Sequence, residues 1–176
     1  MNYAEVRGRI KSGDLIALTH KSWNSLYDLQ VQAVRIGTES EYCHVCVAWV
    51  VAGRVFVIES VTPVVRIFPL SNLQDHGFYW MPVGEDYPMT EEELRFGLAR
   101  VGLGEYSKVE AVLGQFGVLK IGEDELWMCA ELTVVMRRLS GLDLGPKATP
   151  AAVVEKAQES GYPVYLVLND KNDEGT

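Results

Sequence analysis

Three side chains in this sequence carry the ingredients of thiol chemistry: Cys129, His44 and Glu59. Cys129 lies in Asp124-Glu125-Leu126-Trp127-Met128-Cys129-Ala130-Glu131-Leu132, near the start of a stretch with helical apolar spacing. A thiol in the first turns of a helix feels the positive end of the macrodipole, which favours the thiolate. A thiolate can attack a carbonyl carbon when a histidine holds or moves the proton. The plainer reading of Cys129 is a buried, inert thiol, because free cysteine is among the most buried residue types.

His44 stands in the run Tyr42-Cys43-His44-Val45-Cys46-Val47. Strand alternation puts His44, Cys46 and Ala48 on one face and Val45, Val47 and Trp49 on the other. Glu59 lies in the next apolar run, Phe56-Val57-Ile58-Glu59-Ser60. A carboxylate in such company needs a partner. If Ala52 and Gly53 form a two-residue turn, Val51 faces Arg54 and His44 faces Val61. Glu59 is then a same-face diagonal neighbour of His44, roughly 7–8 Å away at the backbone and within reach of long side chains. There it would orient the imidazole and stabilise its charged form, as the third member of a triad does. A one-residue slip in register would separate the two.

A metal site competes for the same segment, since Cys43 and Cys46 have C-x-x-C spacing. A structural zinc needs four ligands, the sequence holds no second such pair, and positions 43 and 46 point to opposite faces of a strand. No metal and no other cofactor is expected. A thioredoxin-type redox pair is disfavoured too, because that motif opens a helix.

The elements that must position these groups follow from the same sequence. A short helix is expected within residues 3–10, and Ser12-Gly13-Asp14 is a turn before a buried strand, Leu15-Ile16-Ala17-Leu18. Residues 26–36 read equally as helix or strand. Two β-rich runs, 42–52 and 55–60, predict a hairpin about Gly53, with a third strand at 64–68. Residues 72–88 carry Gly, Pro and aromatics without a period and read as a long loop. In it His76, Phe78, Tyr79 and Trp80 are either a lid or core filler. Thr90-Glu91-Glu92-Glu93 is a capping box opening a helix to about Val101. Further helices are expected at 107–116, 125–139 and 150–159, with a last strand at 162–168. Strands early, helices late and a final strand define an α+β class, with a small antiparallel sheet packed against helices. One domain over residues 1–168 and a polar tail over 169–176 are expected.

Hydrophobic residues make up 48% and charged residues 23%, which is globular rather than disordered composition. The formal charge of −8 argues against nucleic acid or an anionic membrane as the main partner. The longest apolar run, 45–53, is too short to span a bilayer. An odd number of cysteines, three, and no secretory h-region point to reduced thiols and a cytoplasmic protein, or to one that leaves within a phage particle or a secretion assembly.

Five segments carry a family resemblance. Ser12-Gly13-Asp14-Leu15-Ile16, Tyr42-Cys43-His44-Val45, Val57-Ile58-Glu59-Ser60, Leu103-Gly104-Glu105-Tyr106 and Trp127-Met128-Cys129-Ala130-Glu131-Leu132 resemble, in order, the motifs of the permuted NlpC-like peptidases. These form the YiiX-type branch of the papain-like superfamily. The segments span residues 12–132, about two-thirds of the chain. The resemblance implies a papain-like fold in circularly permuted order, with histidine and glutamate ahead of the cysteine. It implies Cys129 as nucleophile, His44 as general base and Glu59 as the group that orients the base. Tyr106 would lie beside the nucleophile, its hydroxyl available to the oxyanion together with the Cys129 N–H. The loop after the first strand would run close to the site, which makes His20 and Trp23 groove candidates; ordinary surface residues is the plainer reading of both. Glu131 reads as structural. Cys43 replaces the usual Ser or Thr before the histidine, Ala130 the Ser common after the cysteine, and Ser107 a frequent Asp.

The implied activity is amide hydrolysis of cell-wall peptides by a Cys-His-Glu triad. Two alternatives stay open: thiol acyl transfer or hydrolysis on lipids, which a related papain-like group performs, and a catalytically silent binding module in a phage or secretion assembly. The substrate class is therefore peptide or acyl-bearing.

Overall fold

The computed structural model describes residues 1–19, 41–61, 64–73, 77–102 and 129–168. The short helix comes first, as α1 (Tyr3–Val6), and is held by a full capping box between Asn2 and Glu5. The strand Leu15–Leu18, β1, has no polar face because both of its sides are covered. It forms the middle of a sheet with β2 (His44–Val51), β3 (Arg54–Val61), β4 (Val64–Pro69), β5 (Phe78–Met81) and β6 (Tyr165–Val167). The order across the sheet is β4-β3-β2-β1-β5-β6, and every neighbouring pair is antiparallel. Six strands make a broader sheet than the sequence suggested. Its last edge is closed by the chain start: Tyr3 N–H donates to Leu168 O at 3.2 Å, and Leu168 N–H to Met1 O at 2.9 Å.

Three more helices follow among the described residues: α2 (Glu91–Leu98), α3 (Cys129–Leu139) and α4 (Pro150–Glu159). One sheet face, with Leu15, Ala17, Val45, Val47 and Ile58, packs against α3 and α4 through Leu132, Met136, Val153 and Val154. The other, with Ile16, Cys46, Val57, Phe78 and Trp80, packs against Val6, Ile10 and Leu70. On α3 Leu132, Thr133, Val134, Met136 and Arg137 are buried, while Val135 and Leu139 are half-buried.

The β2–β3 hairpin turns at Ala52 and Gly53, with φ of +50° and +71°. Two successive positive values are the signature of the tight turn that matches strand twist. The turn sets Val51 opposite Arg54 and Val47 opposite Ile58, the register expected. The expected loop over residues 72–88 is incorrect, because β5 occupies 78–81 between β1 and β6. Phe78, Trp80 and Met81 are buried, so the strand is apolar on both faces and shows no alternation. That settles Phe78 and Trp80 as core. Gly77 precedes them with φ +80°, and a Cβ there would lie 2.7 Å from Val167 O. At α2 the Thr90 hydroxyl accepts from Glu93 N–H at 3.1 Å. The Glu93 carboxylate does not reach back toward Thr90; it turns inward to Arg137. The helix ends at Leu98 rather than Val101. The last strand is shorter than expected, 165–167. The expected helix at 107–116, the start of the expected 125–139 helix, residues 26–36 and the tail from 169 lie outside the described residues.

Candidate active site

The hairpin places His44 at the first position of β2 and Glu59 near the end of β3. Extending the register by one pair sets Glu59 across from Cys46, two residues from His44 on the same face. The side chains close the remaining gap: His44 Nε2 lies 2.8 Å from Glu59 Oε2. The carboxylate accepts, so Nε2 carries the hydrogen and Nδ1 is left for a thiol. Glu59 is buried, with 1% exposure, and its other oxygen accepts from Arg66 Nε at 2.7 Å. Glu59 and Arg66 face each other directly across β3 and β4. Arg66 also lies over the Phe68 ring, 4.2 Å from its centre. Burial alone would lift the Glu59 carboxyl; the hydrogen bond and charge of His44, with those of Arg66, bring it below the ordinary carboxylate value.

Helix α3 brings Cys129 over the start of β2. The Thr133 hydroxyl stands between two carbonyls, 2.9 Å from Cys129 O and 3.3 Å from Val45 O. This pins one turn of α3 to the residue after His44. Cys129 is buried, with 7% exposure. Burial raises its thiol pKa, but the charge and hydrogen bond of His44, together with backbone hydrogen bonds at Val45 and Ala130, bring it below its ordinary value. In the same way burial works against the His44 cation, yet Cys129, then Cys46 and Glu59, hold its pKa well above the usual value. The two titrate as a pair, and each favours the charged form of the other.

Cys46 also hydrogen-bonds His44 but behaves differently: burial pushes its thiol up to about 11. Its Sγ lies 3.6 Å from Ile16 O, and Cys43 Sγ lies 3.2 Å from Leu18 O. The C-x-x-C pair is thus split, and Cys46 alone of the two joins a group with His44 and Glu59 whose ligand atoms all lie within 4.8 Å of one another.

Asp14 explains the Gly-Asp segment without a catalytic role. It is buried and accepts from Lys11 N–H, Trp80 Nε1 and Gly84 N–H at 2.8, 2.8 and 2.7 Å, fastening the start of β1 to β5. Tyr106, His20, Trp23 and His76 lie outside the described residues. Arg66 was missed by the sequence reading. Its signal was present: Glu59 and Arg66 are equally distant from Thr62-Pro63, the positions of a cross-strand pair in a hairpin.

A buried carboxylate that fixes an imidazole, and a helix-borne thiol coupled to that imidazole, sit here on the YiiX-type α+β fold. A solved structure that shows this likeness is metalloprotein yiiX from Escherichia coli O157:H7, with TM-score 0.54 and 17% identity, covering 85% of this chain and 81% of that one. No family model and no curated protein matches the chain. Among the described residues no helix is long and apolar enough to cross a membrane.

Proposed function

We propose that this protein is a cysteine-dependent amide hydrolase in which Cys129 is the nucleophile, His44 the acid–base group and Glu59 the group that orients it. The observation that carries the reading is the one imidazole shared between a buried carboxylate at 2.8 Å and the Cys129 thiol. The thiolate attacks the carbonyl carbon and the His44 imidazolium gives its proton to the leaving amine, so an acyl-enzyme remains. His44, then neutral, takes a proton from water, which attacks the thioester and restores the thiolate. Glu59 keeps the ring turned and balances its charge through both steps. Tyr106 is proposed to stand beside the developing oxyanion, and His20 and Trp23 to line the groove. The proposed substrates are cell-wall peptides, γ-glutamyl linkages among them.

Iodoacetamide labelling of each cysteine against pH, in the wild type and in His44→Ala, tests the chemistry. Cys129 should label fastest, with an apparent pKa below the ordinary value of about 8.5. The depression should vanish in the mutant. Slow, ordinary labelling of all three thiols in a folded protein would leave a papain-like scaffold used for binding. With a reactive Cys129, release of amine from γ-glutamyl peptides separates the amidase from an enzyme that cleaves only acyl esters.

The yiiX protein is described as a metalloprotein. Among the described residues of this chain, the donors that can hold one ion together are those of His44, Cys46 and Glu59. A sulfur–nitrogen–oxygen set suits a thiophilic divalent cation such as zinc, which would supply a fixed double positive charge there.

A further inference from the structure

We propose that His44, Cys46 and Glu59 form a binding site for a thiophilic divalent cation, and that occupancy switches the Cys129 centre off by taking away its base. The inhibitory half of this rests on the hydrolase reading; the binding half does not.

The backbone presents the three donors together. His44 and Cys46 are two residues apart on one strand face, and Glu59 comes from the neighbouring strand across from Cys46. Their ligand atoms lie within 4.8 Å of one another, a spread a small ion can draw in with side-chain adjustments alone. Three protein donors of mixed type with a position left open is the pattern of a reactive rather than a structural zinc site. A Cys46 thiolate and the Glu59 carboxylate offset the double positive charge, and the Arg66 cation that remains beside Glu59 is partly exposed to solvent. The outer support is already in place, since Arg66 Nε holds Glu59 Oε1 at 2.7 Å and leaves Oε2 facing the imidazole.

Cys46 has no part in the hydrolytic steps, and a buried valine or alanine would fill the same face of the sheet. A thiol placed there beside an imidazole and a carboxylate is what a soft cation requires. Binding releases two protons, one from the Cys46 thiol and one from His44 Nε2, the ring nitrogen turned to Glu59. The remaining ring hydrogen then sits on Nδ1, which has no free lone pair to offer Cys129. His44 can no longer accept the Cys129 proton, and the thiolate loses its cationic partner.

The experiment uses the full chain, stripped with chelator and titrated with Co²⁺ and then Zn²⁺. One Co²⁺ per chain should bind with a sulfur-to-cobalt charge-transfer band, and Zn²⁺ should displace it. Zn²⁺ should also slow iodoacetamide labelling of Cys129 by roughly tenfold or more at pH 6, where a thiol of ordinary pKa about 8.5 is almost wholly protonated. In Cys46→Val the band and the zinc effect should both disappear, while Cys129 of the metal-free variant remains the fastest-labelling thiol. X-ray absorption of the zinc-loaded wild type covers the case of a misfolded variant: it should show one sulfur at about 2.3 Å with nitrogen and oxygen neighbours. No bound metal, no sulfur, two sulfurs, or a charge-transfer band that survives in Cys46→Val would overturn the site. Metal-free labelling of Cys129 decides the hydrolase reading separately. A cobalt band with an unreactive Cys129 leaves the site standing and removes its inhibitory role.

Discussion

Glu59 shows how much one buried charge can organise. It has one oxygen on His44 and the other on Arg66, and no water-facing surface to fall back on. Its pKa in the folded state lies below the ordinary value. Its contribution to stability is therefore present above the ordinary carboxylate value and is lost as pH falls through the depressed one. Arg66→Met should remove part of that support. Glu59 would titrate higher and, no longer sharing its charge with Arg66, would hold the His44 cation more tightly, so the apparent pKa of Cys129 labelling would move down. The stability cost should be about 1–2 kcal/mol by urea unfolding, less than for a fully buried pair, because Arg66 is 39% exposed and solvent screens it. Arg66→Lys should restore charge but not the Nε geometry, and so recover the shift only in part. A labelling profile unchanged in Arg66→Met would show that Glu59 orients His44 without help. At this scale the sequence was legible where chemistry was concentrated. His44 and Glu59 could be paired from hairpin arithmetic. The second role of Cys46 could not, because a thiol on an apolar strand face reads as core.

The hairpin is the element on which that arithmetic rests. Ala52 and Gly53 both take positive φ, and the turn fixes which face His44 shares. Gly53→Val meets no steric obstacle, since nothing lies within 4 Å of the position of its Cβ. Its cost is conformational, about 1–2 kcal/mol for a branched residue held in the left-handed region. Thermal unfolding should show that loss. The labelling pKa of Cys129 should stay near wild type as long as the strands keep their pairing. A Cys129 pKa that returns to its ordinary value in a folded Gly53→Val protein would mean that the turn itself sets the His44–Glu59 register. The other elements differ in legibility for a physical reason. Helix α4 starts at Pro150 and ends at Glu159, the range expected, because the Thr149 hydroxyl accepts from Ala152 N–H at 3.2 Å and Pro150 suits the first helical position. Strand β5 was read as loop because a strand buried on both faces has no period to detect. Glu93 was read as the second half of a capping box. Its identity fitted that role, but a buried guanidinium offered the stronger partner.

That guanidinium ties the molecule together. Arg137 Nη1 lies 2.8 Å from both oxygens of Glu93, and Nη2 donates to Tyr87 O at 2.5 Å. Both side chains of the ion pair are fully buried. The same guanidinium packs against the turn before β1, where a Cβ on Gly13 would come within 2.8 Å of Nη1. One side chain thus links α3, α2 and the lead into the central strand, and α3 is the helix that carries Cys129. Nothing in Met136-Arg137-Arg138 separates the buried arginine from its exposed neighbour, since basic residues suit a helix C-terminus on either face. The pair is not an optimised one: Arg137 Nε is buried with no hydrogen-bond partner among the described residues. Removing one partner strands a buried charge, so Arg137→Met or Glu93→Leu alone should cost about 3–5 kcal/mol. The double variant strands none and exchanges two desolvated ions for apolar contacts. It should be far closer to the wild type than either single change, with a coupling energy of several kcal/mol in the cycle. Urea unfolding of the four proteins measures it. If the two single losses simply add, the pair does not act as a unit. If the double variant regains stability while Cys129 labelling remains fast, the pair supports the helix without tuning the thiol. Stability regained with slow labelling would show that the charged link between α2 and α3 sets the position of Cys129 against His44.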